Sequence, residues 1–562
     1  MALLPRHARQ ILFFTGGVAL CGMVLAWWLG GTVAGQPDPR NTYSAFYVLF
    51  ARDEFWGLGL VATFSLSAAL FFSEKMVGKV SPFPRLCAQL FRHVPIFVIA
   101  AAVFAIAALG ARFVCRHYAL SADEFMSDFQ AQIFLQGKIT AEVPSQWVPA
   151  VRVVKPTYVD YLPKTHSWKA TYLPVYAAMR AIFQAAYLQS LLNPVLAALT
   201  VLALYGTVRN IWPDERQDAF VAALLLGASA QFLVMAMTSY SMPAHLALNT
   251  VWLWLYSRFD SRRFYLAPFV GVLAIGLHQP IVHAVFVAPF LFRLVLERRW
   301  RAVLIYGLVY LFGCAGWFIW RVIYSPPSAG AVTSFFRLWN PSMLVIQPMD
   351  LLLVIGWSAL ATPLLVVLGL KGILYQRPII QDAAISCLLT FGFYYFFYLD
   401  QGHGWGYRYF HGTISCLIIV AVAGWRALRK SVGLERWRAG AFLAVSLIVS
   451  LVAVLPLRCY QAESFIRPYA RASQAIHSLS VGVVGLDPHF AWYSADLIRN
   501  DPFLKNRPIV AALIDLRPSE VDALKRGGTA RFVSRAELEG FGLTTTPPEP
   551  RHYNPFRLGY AR

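Results

Sequence analysis

Long uncharged apolar runs constrain this 562-residue chain more than any other feature. A helix needs about 20 apolar residues to cross the hydrocarbon layer of a membrane, because every backbone N–H and C=O must then be paired within the segment. Only 14% of the residues are charged, whereas soluble domains carry about a quarter. The sequence therefore predicts a polytopic α-helical membrane protein.

Transmembrane helices are predicted at thirteen segments: 11–31, 56–73, 93–111, 186–205, 218–237, 243–258, 265–280, 281–296, 302–322, 344–370, 378–398, 412–425 and 439–456. Lys and Arg concentrate in alternate loops, among them Lys75, Lys79, Arg85 and Arg92 between the second and third helices. The net charge of +21 is thus spread over these loops, which argues against nucleic acid as a partner. By the positive-inside rule the N-terminus is cytoplasmic, and an odd number of helices places the C-terminus outside.

Two predicted outer segments are too long to be simple connectors. The first, 112–184, opens with SADEFMSDFQAQIFLQGKI, whose apolar residues recur at helical spacing and predict an amphipathic helix along the membrane surface. The second, 457–562, alternates strand and helix patterns in VGVVGLD, AWYSADLIRN, PIVAALID, SEVDALKRG and ARFVSR. It is predicted to be a small extracytoplasmic α/β domain with a loose tail, beside a transmembrane module at 1–456. VGVVG lacks the GxGxxG spacing of a dinucleotide site.

The pair Asp123-Glu124 begins the predicted amphipathic helix. One carboxylate of such a pair can accept the proton of an attacking hydroxyl or amine while its neighbour orients it. The alternative is a purely structural role, since acidic residues are favoured in the first turn of a helix and Ser121 or Asp123 can cap it.

A second candidate segment is DQGHGWGYRYFH, residues 400–411, between two apolar helices on the predicted outer side. Arg408 is its only Lys or Arg, and a guanidinium can bind a phosphate through two hydrogen bonds, with Tyr407 beside it. His403 and Tyr409 would then line the substrate. The alternative is an aromatic turn in which Arg408 reaches the lipid headgroups.

Several other basic residues are ambiguous. His278 and His283, in GLHQPIVH, either meet a phosphate or a metal or satisfy backbone groups at a helix break. His245 follows Pro243 at another outer turn. Lys155, Lys164 and His166 lie in the large outer loop, where they either bind an anionic headgroup or are surface charges.

The order of these motifs along the chain, and their predicted location on one side of the membrane, resemble those of lipid-dependent, C-type (GT-C) glycosyltransferases. That family includes the protein O-mannosyltransferases and the aminoarabinose transferase that modifies lipid A. The similar segments are SADEFMSDFQAQIFLQGK, GLHQPIVHAVFVAPFL and GHGWGYRYF, within residues 93–425. The chain departs from the family in two ways. It has two extra helices before the acidic loop, and it has His278-Gln279-Pro280 where relatives have Lys-Gly-Pro.

The resemblance implies transfer of a sugar from a polyprenyl-phosphate carrier to a glycolipid, polysaccharide or protein outside a bacterial inner membrane, with inversion at the anomeric carbon. Asp123 would be the base, supported by Glu124. Arg408, with help from His278 or Lys155, would stabilise the leaving phosphate. No cofactor is identified, and a requirement for a divalent metal (Mg or Mn) is left open.

Two other classes of protein have similar hydropathy. An O-antigen ligase or polymerase would use a lipid-linked oligosaccharide and would not need the early acidic pair. A lipid or solute transporter should show intramembrane charges and paired broken helices. The sequence favours the transferase because its charges are expected to concentrate in loops.

Overall fold

The computed structural model describes residues 3–34, 44–72, 95–325, 336–397, 400–430, 434–491 and 493–543. The α-helices are α1 (Leu3–Ala34), α2 (Ala45–Phe71), α3 (Ile96–Phe113), α4 (Ala122–Leu135), α5 (Val151–Val154), α6 (Val175–Ala185), α7 (Leu192–Ile211), α8 (Arg216–Gly227), α9 (Ala230–Met237), α10 (Met242–Tyr256), α11 (Ala267–Ile275), α12 (Pro280–Leu296), α13 (Trp300–Tyr324), α14 (Pro341–Trp357), α15 (Thr362–Lys371), α16 (Pro378–Phe393), α17 (Ile414–Arg429), α18 (Leu434–Val449), α19 (Leu455–His477), α20 (Pro518–Arg526) and α21 (Arg535–Gly540). The strands are β1 (Ala141–Glu142), β2 (Val159–Leu162), β3 (Ser167–Ala170), β4 (Val483–Leu486), β5 (Ile509–Ala512) and β6 (Ala530–Phe532).

Within the described ranges, eight helices are long and apolar enough to cross a membrane, and two bent pairs raise that number to ten. The bends are 58° between α8 and α9 and 113° between α14 and α15. The prediction of a polytopic helical membrane protein is confirmed, and these ten spans coincide with ten of the thirteen predicted segments.

The other three predicted spans, 243–258, 265–280 and 281–296, correspond to α10, α11 and α12, of 15, 9 and 17 residues. They are short because residues 262–266 form a 3-10 turn before α11 and the chain breaks again before Pro280. Thirteen full-length spans therefore stay a prediction.

The predicted amphipathic helix is confirmed as α4, but its apolar face contacts protein. Phe129 and Ile133 are fully buried, and the Phe129 ring lies 5.9 Å from that of Trp168 in β3. The antiparallel sheet β1-β3-β2 covers this face, so α4 does not rest its apolar residues on the membrane surface as predicted.

The C-terminal strands form a parallel sheet of order β5-β4-β6, and α20 lies where the second helix was predicted. The first predicted helix, AWYSADLIRN, is wrong: the chain forms only a short 3-10 turn at Ser494–Leu497. The side chain of Asn500 donates to the carbonyls of Val154 in α5 and Val510 in β5, both at 2.7 Å. It thereby fixes the chain after this turn between α5 and β5. The predicted loose tail after residue 543 and the basic loop with Lys75, Lys79, Arg85 and Arg92 lie outside the described residues.

The segment 112–184 and the C-terminal sheet contact each other directly. Arg152 binds Glu520 through Nε and Nη2, at 2.9 and 2.7 Å. The indole of Trp168 donates to the carbonyl of Pro502 at 2.6 Å. These contacts place both segments on one side of the bundle.

Several charges lie in the apolar helices, so the expectation that charges concentrate in loops is wrong for them. Arg458 of α19 binds Glu54 of α2 at 2.9 and 2.7 Å, and both side chains are buried. Arg293 and Asp382 form a second pair, at 2.7 Å, in which Asp382 is buried and Arg293 is partly exposed. In these two pairs the opposite charges offset the cost of burial. The first pair ties α2 to α19.

Candidate functional site

Glu124 serves as a buried cap at the start of α4. Its two carboxylate oxygens accept hydrogen bonds from the backbone N–H groups of Ser121, at 3.2 Å, and Ser239, at 3.0 Å. Burial raises the pKa of Glu124 to about 7, although these backbone hydrogen bonds act in the opposite direction. Glu124 thus joins α4 to the turn between α9 and α10, and its oxygens are occupied.

Asp123 is the accessible member of the acidic pair, with 18% of its side chain exposed. Its Oδ1 accepts a short hydrogen bond from the hydroxyl of Tyr172, and its Oδ2 accepts from Nη1 of Arg408 at 3.4 Å. Burial and the nearby Asp123 carboxylate raise the pKa of Tyr172 well above its usual range. The phenol therefore stays protonated and fixes the orientation of the carboxylate.

Arg408 begins the 3-10 turn that leads into α17. Its Nη1 donates to the hydroxyl of Tyr240 at 2.9 Å, and its guanidinium lies 5.2 and 5.3 Å from the ring centroids of Tyr240 and Tyr409. Nε is buried and has no hydrogen-bond partner among the described residues. A buried cationic N–H without an acceptor is costly, and an anionic oxygen would satisfy it.

The hydroxyl of Tyr240 joins three parts of the site. It lies 2.7 Å from Nε2 of His403, 3.0 Å from Oγ of Ser121 and 2.9 Å from Nη1 of Arg408. Because the guanidinium can only donate, the phenol oxygen accepts from it. Burial lowers the pKa of His403 well below its usual range, so the neutral imidazole helps to position Tyr240.

Two residues of the C-terminal segment also support the site. Asp496 Oδ2 accepts from the backbone N–H of Ala122 at 2.9 Å, next to Asp123. The hydroxyl of Tyr493 accepts from the backbone N–H of His403 at 3.0 Å. The segment predicted to be a separate domain therefore holds both Asp123 and the loop before Arg408 in place.

Of the other predicted site residues, His278 and Tyr409 lie beside this group. The ring of His278 is 3.7 Å from that of Tyr172. Burial lowers its pKa to about 4, so the imidazole is neutral at pH 7. Tyr409 stacks on Tyr394 with ring centroids 4.7 Å apart, beneath the guanidinium of Arg408.

The remaining predicted residues make their contacts elsewhere. Nζ of Lys155 donates to the carbonyl of Val159 at 2.8 Å, and His166 is an exposed turn residue bonded to the Tyr161 hydroxyl at 2.8 Å. His283 lies within the bundle between Asn249 and Tyr310, at 2.8 Å from each. Tyr407 is fully buried against Phe391 and Phe410.

Sequence reasoning missed Tyr172, Tyr240, Asp496 and Tyr493. Tyrosine is common in this chain, with 26 copies, and nothing in the spacing sets these residues apart. Asp496 lay in a segment that the strand pattern separated from the acidic pair.

The residues around Asp123 do not fit a divalent metal. In the described ranges, no group of three or more His, Cys, Asp or Glu residues is placed to hold a metal ion. The neighbours of Asp123 are a phenol and a guanidinium, and the oxygens of Glu124 are occupied by backbone amides. The chemistry available is that of one carboxylate beside one guanidinium.

No protein-family model matches this chain, and no curated protein matches it by sequence. Similar solved structures include ArnT from Cupriavidus metallidurans in the apo state, at 12% identity over 75% of this chain and 87% of that chain, with a TM-score of 0.46. ArnT bound to undecaprenyl phosphate matches at 13% identity over 76% and 87%, with a TM-score of 0.47. The Archaeoglobus fulgidus oligosaccharyltransferase tethered with an acceptor peptide matches at 10% identity over 73% and 64%, with a TM-score of 0.41.

Proposed function

We propose that this chain is a membrane glycosyltransferase that moves a sugar from a polyprenyl-phosphate donor to an acceptor of the cell envelope. The observation that supports this most is the pairing of Asp123 with Arg408, whose Oδ2 and Nη1 atoms lie 3.4 Å apart at one end of an apolar helical bundle. Both side chains are partly accessible, at 18% and 10%. Transfer from a lipid phosphate requires these two groups: a base for the acceptor and a cation for the departing phosphate.

The reaction can be assigned atom by atom. Asp123 takes the proton from the acceptor hydroxyl or amine, whose oxygen or nitrogen bonds to the anomeric carbon. The bond from that carbon to the phosphate oxygen breaks with inversion, and the electron pair leaves with the phosphate. Arg408 stabilises the charge that develops on that oxygen.

The donor itself would prepare the carboxylate. In the described residues, Arg408 contacts Asp123 through Nη1 while its Nε lacks an acceptor. A phosphate bound at Nε competes with Asp123 for the guanidinium and leaves Oδ2 for the acceptor. Tyr172 keeps its hydrogen bond to Oδ1 and so holds the carboxylate in place.

Several residues support the two reacting groups. Glu124, His403 and Tyr409 position Asp123 and Arg408, and neutral His278 packs on Tyr172 without binding phosphate as a cation. The reacting residues belong to a transmembrane module, residues 1–456, and residues 457–562 form an outer domain that supports them through Tyr493 and Asp496. The Lys and Arg pattern favours a cytoplasmic N-terminus and a site outside the inner membrane.

The test is identification of the lipid product. The purified full chain in nanodiscs is given undecaprenyl-phosphate sugars with lipid, glycan and peptide acceptors, and lipids are analysed by mass spectrometry. We expect release of undecaprenyl phosphate by the wild type and by the exposed-residue control Arg531→Ala, and none by Arg408→Ala.

Three other results would contradict the proposal. Release of undecaprenyl diphosphate from lipid-linked oligosaccharides would favour the ligase. Transbilayer movement of the donor without cleavage would favour the transporter. Equal release of undecaprenyl phosphate by Arg408→Ala and the wild type would remove Arg408 from the mechanism.

A further inference from the structure

A cavity opens at the surface where α4, the end of α19 and the C-terminal segment meet. Its volume is about 330 Å³, at the lower end of the range of about 300–1,000 Å³ for small-molecule sites. The lining residues are Tyr118, Phe125, Gln132, Ser473, His477, Arg499, Asn500 and Asp501. The size suits one or two sugar rings.

This cavity is separate from the Asp123 site. Phe125 and Gln132 are seven residues apart in α4 and lie on one face of it. At 3.6 residues per turn that face points away from Asp123, and a helix is about 10 Å across. A ligand here would be held one helix diameter from the proposed base and would not be the reacting group.

The cavity wall combines aromatic rings with an unsatisfied polar atom. The guanidinium of Arg499 lies 4.1 Å from the ring centroid of Tyr118 and 5.2 Å from that of Phe125. The hydroxyl of Tyr118 interacts with the side chain of Ser473, whereas Oε1 of Gln132 is buried without a hydrogen-bond partner among the described residues. Such an atom is rare in folded proteins and calls for water or a ligand.

The charged groups of the wall are already engaged. Arg499 donates to the carbonyl of Asp496 at 2.8 Å and to those of Ala119 and Leu120. Oδ1 of Asp501 accepts from the backbone N–H of Phe503 at 2.8 Å. Arg499 and Asp501 offset each other, and His477 adds a charge only when it is protonated, so at neutral pH the cavity does not select for an anionic ligand.

We infer that this cavity binds a neutral sugar unit. A sugar ring offers an apolar C–H face that packs against aromatic side chains and hydroxyls that hydrogen-bond to Gln132 and Tyr118. The assignment of this unit to the acceptor glycan rests on the proposed function. The ability of the cavity to bind a sugar is argued from the geometry of the cavity and does not depend on the proposed function.

The ligand would also act on the catalytic helix. Asp496 accepts from the backbone N–H of Ala122, and Arg499, two residues after the 3-10 turn ends, donates to the carbonyls just before α4. A sugar that contacts both α4 and residues 499–501 would stabilise the position of α4, the helix that carries Asp123. An acceptor glycan would therefore be held at two points.

The experiment measures binding of maltose, lactose and diacetylchitobiose by saturation-transfer NMR to the full chain in nanodiscs, because maltoside detergents would compete. Glucose 6-phosphate serves as the anionic comparison. We expect at least one neutral disaccharide to bind the wild type more tightly than the anion does. Binding should weaken about tenfold in Gln132→Leu through the loss of one hydrogen bond. Ser473→Phe, which fills the cavity from α19, should abolish it.

Two controls isolate the cavity. Gln474→Leu makes the same chemical change at an exposed residue next to Ser473 and should bind like the wild type. Glu142→Gln, at an exposed acid outside both sites, should also bind normally. If no disaccharide binds, or if Gln132→Leu and Ser473→Phe both bind like the wild type, the inference is wrong. Neither result depends on transferase activity, and loss of the transferase proposal would leave the binding result standing.

Discussion

The hydroxyl of Tyr240 accepts a hydrogen bond from Nη1 of Arg408 at 2.9 Å, and the same nitrogen donates to Asp123 at 3.4 Å. The phenol is itself bound to Ser121 and His403. Arg408 is therefore held by groups from three separate parts of the chain before any substrate arrives. Preorganisation of this kind lets a cation stabilise developing charge without reorientation.

Tyr240→Phe tests this arrangement, because it keeps the ring and removes only the hydroxyl. A hydrogen bond to a charged group contributes about 1.5–3 kcal/mol, so kcat should fall about 10- to 100-fold. Steady-state kinetics with a polyprenyl-phosphate sugar measure the change. Tyr375→Phe, at a residue that is 94% exposed, is the matched control and should leave kcat unchanged. A kcat for Tyr240→Phe equal to that of the control would show that Arg408 does not need this support.

The buried pair Glu54–Arg458 should be a major source of stability for the N-terminal helices. Removing one partner of a buried pair costs about 3–5 kcal/mol, because the other charge is left unpaired. Glu54→Ala should therefore lower the unfolding temperature in nanodiscs clearly. Glu142→Ala breaks the exposed pair with Lys138 and should cost at most about 1 kcal/mol. Similar shifts for both variants would contradict the assignment.

The free energy of unfolding should depend on pH through the ionisation of Glu124. Burial raises its pKa from 4.5 to about 7 in the folded chain, so the folded state binds more protons than the unfolded state in this window. The contribution of Glu124 is therefore fully present below pH 4.5 and is lost as the pH rises through 7. Burial raises the pKa of Asp496 to about 6, which acts in the same direction at slightly lower pH.

Denaturation between pH 4 and pH 8 checks this prediction. Glu124→Gln cannot ionise and should show a shallower fall in stability than the wild type across the window. Glu142→Gln, at an exposed acid, should keep the wild-type slope. A Glu124→Gln profile parallel to that of the wild type would mean that Glu124 titrates normally.

Gly402→Ala tests the contact between the C-terminal segment and the Arg408 loop. Gly402 has φ +61°, and a Cβ there would lie 2.6 Å from the Tyr493 hydroxyl. Gly137 has φ +68° with no neighbouring atom within 4 Å of such a Cβ, so Gly137→Ala imposes the same backbone strain without the clash. We expect transfer activity to fall more in Gly402→Ala than in Gly137→Ala. Equal activities would show that the site tolerates displacement of this loop.

The sequence predicted the helices well where a run was long enough to span the membrane by itself. The segments at α10, α11 and α12 are apolar too, but breaks before Ala267 and Pro280 shorten them. Hydropathy records burial in an apolar environment and cannot distinguish lipid from protein. For the same reason, the apolar face of α4 was predicted to lie on the membrane, whereas it packs on Trp168.

The site was predicted in outline, because the chemistry of Asp123 and Arg408 is visible in their residue types and loop positions. Their supporting partners come from far along the chain. Tyr172 is 49 residues from Asp123, Tyr240 is 168 residues from Arg408, and Asp496 is 374 residues from Ala122. Such contacts are set by packing of the folded chain and leave no local pattern. Glu124 shows the converse: the alternative of acids in the first turn of a helix capped by Ser121 agrees with its contact to the backbone N–H of Ser121.

The most direct test of the account is the rate of sugar transfer by Asp123→Asn in a single turnover with a bound polyprenyl-phosphate sugar. The amide keeps the shape of the carboxylate but cannot take up the acceptor proton, so transfer should fall at least about 100-fold. Donor binding and unfolding temperature should stay close to those of the Glu142→Gln control. Transfer by Asp123→Asn at the wild-type rate would contradict the central claim that Asp123 is the base.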